Sequence, residues 1–215
     1  SESIKLVAFV EPVDYYPGQQ IILHYKLLFR ENVQTINTLS EDDYSGFFIQ
    51  NFNTISRAAT YETINGLPYK SRIIKSIALF AHQSGTYTID PMIMDVGVSA
   101  PYPGNQGFFT MRRLQNIQIA SAPITIDILP LKSDTSQTFT GAVGQYEMTA
   151  YPGNTTLTTD EAFNLRIEIK GNGDSRRWDP PKAVTNGDFE MYDPRIIEDR
   201  AIEANGSIIQ IRSIE

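Results

Sequence analysis

Gly18-Gln19-Gln20-Ile21-Ile22-Leu23-His24-Tyr25-Lys26-Leu27 alternates apolar and polar side chains, and Asp160-Glu161-Ala162-Phe163-Asn164-Leu165-Arg166-Ile167-Glu168-Ile169 does so again in phase. A period of two marks a half-buried strand, because successive Cβ atoms point to opposite faces of a sheet. The second stretch lies 142 positions on (160 − 18). Gly46-Phe47-Phe48-Ile49 is answered by Gly187-Asp188-Phe189-Glu190 at 141 (187 − 46), and Asn65-Gly66 by Asn205-Gly206 at 140 (205 − 65). An offset this constant across three features predicts two copies of one β-rich module. The first copy continues well past its Asn-Gly pair, whereas the second stops at Glu215, so the sequence reads as a piece cut within its second module.

Working outward, Ile4 to Val10 is a short apolar stretch closed by turn-rich residues, and Pro17-Gly18 is a turn leading into a strand over Ile21–Phe29. Residues 30–45 read as a polar loop with room for a short helical turn, followed by a strand over Gly46–Phe52. Asn65-Gly66 between alternating runs predicts a hairpin, Ala58–Ile64 against Tyr69–Phe80. His82 to Ile89 is a turn entering a strand with Tyr87 near its start, which resembles in spacing the tyrosine corner of immunoglobulin-like sandwiches. After Met92–Val98 comes a loop over 99–113 rich in proline, glycine and aromatics, and strands at Ile117–Ile119 and Ile124–Ile128 close the first module. No stretch of ten residues has a convincing amphipathic helical pattern. Many short strands separated by turn signals predict an all-β chain of tandem immunoglobulin-like β-sandwiches, the second truncated. The boundaries are 1–130, a linker at 131–138, and 139–215.

Composition narrows the classes. With 41% hydrophobic and 20% charged residues among 215, the chain can bury real cores. Its 18 basic and 25 acidic side chains give a charge of −7, which argues against general nucleic-acid binding, whose affinity comes from neutralising phosphates. The lack of cysteine excludes disulfides, thiolate metal sites and cysteine nucleophiles.

Catalytic patterns are sparse. His24 and His82 are the two histidines, one on the polar phase of a strand and one in a turn, and surface positions account for both. Glu41-Asp42-Asp43 and Glu198-Asp199 are acidic clusters, as paired carboxylates or calcium ligands would require, but neither has calcium-loop spacing. Solvated loops account for them too. Two places look more like recognition surface. One is the 99–113 loop, where Tyr102, Phe108 and Phe109 precede Arg112 and Arg113, residue types that dominate interface hot spots. The other is Arg176-Arg177-Trp178, which holds the single tryptophan beside Pro180-Pro181. An exposed Trp178 would stack on a sugar or a partner; a buried one would pack beside the proline bend. For both places the alternative to partner binding is packing onto the chain's own sandwich.

Several segments together resemble the BatD family, named for bacterial aerotolerance operons and also called oxygen-tolerance proteins. Phe139-Thr140-Gly141-Ala142-Val143-Gly144-Gln145-Tyr146 is similar to the family's opening of a module, and Ile167 to Asp174 resembles its strand ending in Gly-x-Gly-Asn, with Asp174 in place of the asparagine. Gly187-Asp188-Phe189-Glu190-Met191-Tyr192-Asp193-Pro194 resembles its Gly-Phe-x-Val-Tyr-Asp-Pro segment, and Ala78-Leu79-Phe80 with Ser84 to Pro91 its strand and turn in the first module. The 99–113 loop departs from the family core. The resemblance implies a periplasmic protein anchored to the inner membrane by a C-terminal helix. It also implies neighbours: von Willebrand A-type membrane proteins, tetratricopeptide proteins and a MoxR-type ATPase. It brings no catalytic residue, cofactor or metal. The expectation is therefore a non-enzymatic scaffold linked to oxygen or stress tolerance through protein–protein interactions. The rivals are a surface adhesin or carbohydrate-binding module using Trp178 or the Tyr102–Phe109 loop, and a hydrolase built on the acidic clusters.

Overall fold

The computed structural model describes residues 2–55, 58–101, 112–132, 139–159, 161–185, 187 and 189–215. The described chain is all-β. Its strands are β1 (Ile4–Phe9), β2 (Gln20–Phe29), β3 (Val33–Ser40), β4 (Phe47–Asn51), β5 (Thr60–Ile64), β6 (Leu67–Ala81), β7 (Gly85–Ile89), β8 (Ile93–Pro101), β9 (Arg112–Ala120), β10 (Ile124–Ile128), β11 (Tyr146–Pro152), β12 (Leu165–Gly171), β13 (Ile196–Ala204) and β14 (Ser207–Ile214). Helical structure among the described residues is a single 3-10 turn at Ser175–Arg177, and no described helix is long and apolar enough to cross a membrane. The strands pair antiparallel in four sheets: β1-β2-β6-β4 with β5 also on β6, β10-β7, β3-β8-β9, and β11-β12-β14-β13.

The repeat read from the sequence reappears rung by rung. Leu6–Leu27–Arg72 in the first sheet becomes Met148–Ile169–Arg212 in the last, and Lys5–Leu28–Ser71–Thr60 becomes Glu147–Lys170–Ile211–Arg200. These pairs keep the offsets of 142 on β1 and β2 (148 − 6) and 140 on β5 and β6 (212 − 72). Both Asn-Gly turns hold two successive positive φ angles, 51° and 78° at Asn65-Gly66, 51° and 74° at Asn205-Gly206, the geometry a two-residue hairpin needs. One local difference is a bulge on β6, where the register slips between Tyr25 and Lys26; β12 and β14 pair straight through the matching point. The third correspondence does not extend to structure. Phe47 opens β4, which pairs with Ile77–Ala81, whereas 189–195 forms no strand.

In the first module the sheets share one core. Ile4, Leu6, Ile21, Leu23, Tyr25, Leu27, Ile77 and Leu79 of the large sheet meet Met94, Val96, Val98 and Ile119 of β3-β8-β9 and Ile89, Ile126 and Ile128 of β7-β10. The Tyr87 hydroxyl donates to the Gln83 carbonyl at 3.1 Å, tying the start of β7 to the preceding turn. Tyr15 does the same to Glu11 at 2.7 Å.

Two sequence expectations are corrected. Residues 33–40 are strand β3 rather than loop. Its side chains are mostly exposed and polar, so an edge strand with Thr and Asn on both faces left no alternation to read. The loop expected over 99–113 is shorter, because Ser99, Ala100 and Pro101 pair with Leu114, Arg113 and Arg112 and extend the β8–β9 hairpin.

The two modules differ in cover at equivalent positions. Leu6 is 5% exposed and Met148, its counterpart, 63%. Leu6→Ala is expected to cost about 2–4 kcal/mol through lost burial and a residual cavity. Met148→Ala should stay within about 0.5 kcal/mol, as at other exposed sites. Urea midpoints of the two variants check this, and equal losses would refute the difference in layering.

Candidate functional site: the seam between the modules

β6 is apolar on both faces over Ile77–Ala81. Ile77 and Leu79 enter the first core, while Ala78 and Phe80 point out of it and form a second buried cluster with Ile208 of β14, flanked by Phe48 and Phe52. The hairpin β13–β14 of the second module therefore covers the Ala78–Phe80 patch on the outer face of the first module's large sheet. Burying an apolar patch there brings backbone groups of the hairpin out of water, and those groups need partners.

Gln20 supplies them. Its Nε2 donates to the carbonyls of Ile208 (2.7 Å) and Asn172 (3.0 Å), and its Oε1 accepts from Ser207 Oγ (2.8 Å) and Ile208 N (3.0 Å). Gln210 Nε2 donates to Gln50 Oε1 at 2.6 Å, and the Glu203 carboxylate accepts from Asn53 N (2.5 Å) and Thr54 N (3.0 Å). Those two backbone donors hold the Glu203 carboxyl below its usual range, Asn53 first.

The Arg176-Arg177-Trp178 segment sits beside this seam. Asp174 accepts from Arg176 Nε and Nη2, both at 2.8 Å, and from Arg176 N at 3.1 Å. The Arg176 guanidinium carbon lies 3.2 Å from the centre of the Phe48 ring across the seam. Arg177 Nη1 donates to the His82 carbonyl at 2.9 Å, and Asp174 N donates to the Gly18 carbonyl at 2.9 Å. Gly18 is required twice here: its φ is +82°, and a Cβ would lie 2.6 Å from Arg177 Cδ. Burial acts to raise the Asp174 pKa, but Arg176, through side chain and backbone, outweighs it and holds the carboxyl below its usual range.

Trp178 faces away from solvent, the buried one of the two outcomes the sequence allowed. It is 8% exposed and packs with Ile169, Ile214, Ala142, Tyr146 and Ile167. Its ring meets Tyr146 edge-on at 6.0 Å, its Nε1 donates to the Tyr146 hydroxyl at 3.3 Å, and the guanidinium of buried Arg212 lies 4.9 Å over it. Arg212 is itself paired with Asp199 at 2.7 Å. The apolar work in this small core falls to the one large ring, which is why it is not at the surface.

The remaining candidates fall as follows. Tyr102, Phe108 and Phe109 lie outside the described residues; Arg112 and Arg113 begin β9, with Arg113 exposed. His24, half-buried, has Nδ1 2.8 Å from Ser76 Oγ, and burial lowers its pKa. Asp42 accepts from Tyr44 N and Asp90 N, Asp43 from Ser45 N, and Glu41 from Lys75, so this acidic cluster holds turns together. Glu198 pairs with Arg200 and Arg166. No group of three or more His, Asp or Glu among the described residues could hold a metal. Clefts of about 330 Å³ at Gln145–Glu147 and Lys170–Asn172, and about 440 Å³ at Ile4–Val7 and Gln118–Ala120, do not place two carboxylates on their walls.

The sequence reading missed Gln20, Phe48, Glu203 and Ile208 as seam residues. A signal was present: Ile77-Ala78-Leu79-Phe80-Ala81 and Phe47-Phe48 are continuous apolar runs, and a strand apolar on both faces is buried on both. Comparison with protein-family models, curated proteins and solved structures returns no match.

Gln20→Ala should lower stability by about 1–3 kcal/mol, since hairpin groups lose their buried partners. It should also let the modules tumble separately, read from 15N relaxation; unchanged tumbling would refute the lock. For Asp174 and Glu203 the folded pKa lies below the ordinary values of 3.8 and 4.5, so their contribution is complete above that range and lost as pH falls below it through the folded values. Emission of the single tryptophan, Trp178, should shift red on acidification below that range, and Asp174→Asn should flatten the shift. Identical acid curves would refute the role of Asp174.

Proposed function

We propose that this chain is a non-enzymatic scaffold, the periplasmic portion of a BatD-like protein built from immunoglobulin-like sandwiches and anchored to the inner membrane. In this reading it serves oxygen or stress tolerance by holding von Willebrand A-type membrane proteins and tetratricopeptide proteins in one complex. The observation that carries the proposal is the seam. Gln20, Gln210, Glu203 and Arg177 bind one module to the other through hydrogen bonds that span the chain, which makes a stiff arm rather than two beads on a string. A scaffold that sets the spacing of its partners needs that stiffness.

Two further observations support it. The register repeat between the first and last sheets is what a tandem of related sandwiches requires. The Tyr87 hydroxyl bond to the Gln83 carbonyl is the contact a tyrosine corner makes. The buried ionisable side chains are engaged structurally, Asp174 with Arg176 and Arg212 with Asp199. Partner contact is assigned to the far end of the β8–β9 hairpin, around Arg112 and Arg113, and to the residues Tyr102, Phe108 and Phe109 that join its strands.

Crosslinking of the protein in its native membranes, followed by identification of what is attached, tests the reading. Recovery of von Willebrand A-type membrane proteins linked through the β8–β9 hairpin is the expected result. Recovery of envelope glycan alone would replace the scaffold with an adhesin.

A further inference from the structure

At one flank of the first module two sheet edges run side by side. Among the described residues β1 pairs only with β2 and β9 only with β8, so each keeps a row of backbone N–H and C=O groups that no strand meets. A cleft of about 440 Å³ lies between them. Strand parity sorts its walls. Ile4, Leu6 and Ile119 are buried in the shared core and form the floor, while Lys5, Val7, Gln118 and Ala120 are at least partly exposed and form the rims.

Other edges in the molecule are blunted. β3 slips register between Val33 and Thr35 and again between Thr38 and Ser40, and β13 slips between Ile196 and Glu198. β4, β5, β7 and β10 are five residues long, and β11 ends in Pro152. Bulges, short strands and prolines are the devices that keep an edge from pairing. β1 and β9 have none of them: both pair straight through with their neighbours, and neither contains proline.

We propose that β1 takes up an extended segment of another polypeptide as an added strand of the first sheet, the segment alternating apolar residues with Glu or Asp. In strand addition the main chain supplies affinity and sites for alternate side chains supply specificity. Every second side chain of the added strand lies over the apolar floor, and the others face the rims. Charge decides what those others are. Lys5 is the charged residue on the walls, and its ammonium lies 5.6 Å from the Tyr69 ring centre with no ion pair among the described residues. β1 and β9 together carry Lys5, Arg112 and Arg113 and no acid, in a chain whose net charge is −7. An acidic segment is the complement of that edge. The inference uses the Gln118–Ala120 part of β9 rather than its Arg112 end, and it does not rest on the scaffold reading.

Titration of the 15N-labelled 215-residue chain with the acetylated, amidated peptide Glu-Val-Glu-Val-Glu-Val-Glu tests it. Saturable shifts at β1 and β9 amides are expected below about 1 mM peptide. Peptides N-methylated at the valines or at the glutamates keep every side chain but lose alternate donors, and one of the two should bind at least about tenfold more weakly. Lys5→Glu should weaken binding by about three- to tenfold, and Gln34→Glu, on the β3 edge, should leave it unchanged. Unshifted amides away from β1 show that the variants are folded. No saturation by about 1 mM, undiminished binding of both methylated peptides, shifts centred on β11 or β13, or a Lys5→Glu variant that binds as tightly would each overturn the proposal. So would self-association of the chain that buries β1 and excludes the peptide.

Discussion

The arrangement of the two modules depends on the side-chain amide of Gln20. A primary amide has two N–H donors and two acceptor lone pairs. Gln20 uses them on the carbonyls of Asn172 and Ile208, the Ser207 hydroxyl and the Ile208 N–H. The Ser207 and Ile208 groups sit at the end of the β13–β14 hairpin that presses Ile208 onto Ala78 and Phe80, and Asn172 directly follows β12. Apolar contact supplies the attraction there, but it is non-directional and would leave the hairpin backbone dry and unpaired. The amide removes that penalty and fixes the angle at which the hairpin meets the sheet. Asp174, Arg176, Arg177 and Glu203 surround it, each reaching or supporting the other module.

That constraint explains why neighbouring residues with similar chemistry have different fates. Arg176 and Arg177 look alike in the sequence, yet one sits over the Phe48 ring and the other reaches a backbone carbonyl past Gly18. Trp178, next in sequence, turns the other way and becomes the centre of the second core. The strand parity of β6 works similarly. Ile77 and Leu79 serve one core and Ala78 and Phe80 another, so a single strand joins two layers.

The same geometry separates the modules in completeness of cover. The first sheet is closed on its inner face by two further sheets, whereas the last relies on one tryptophan and leaves Met148 and Phe163 in solvent. The acidic clusters that invited a catalytic or calcium reading cap turns and pair with lysine or arginine. What the described residues offer for function is a locked pair of modules, and the scaffold proposal rests on that lock.

The repeat, the strands around Leu23 and Ile167, and both Asn-Gly hairpins were legible in the sequence, because strand periodicity and turn chemistry are local properties of the chain. The shared register of the two copies followed from the same offsets. Strand β3 was illegible, since a polar edge strand is held by its neighbour's backbone rather than by its own pattern. Trp178 was left open between surface and core, because a lone ring's burial depends on what the rest of the fold brings over it. The apolar runs at Phe47-Phe48 and Ile77–Ala81 marked a face to be covered, but what covers it was decided by tertiary structure. Gln20 occupies the polar phase of its strand like any solvated residue, and only the arrival of a hairpin 188 positions away, at Ile208, makes its amide a lock.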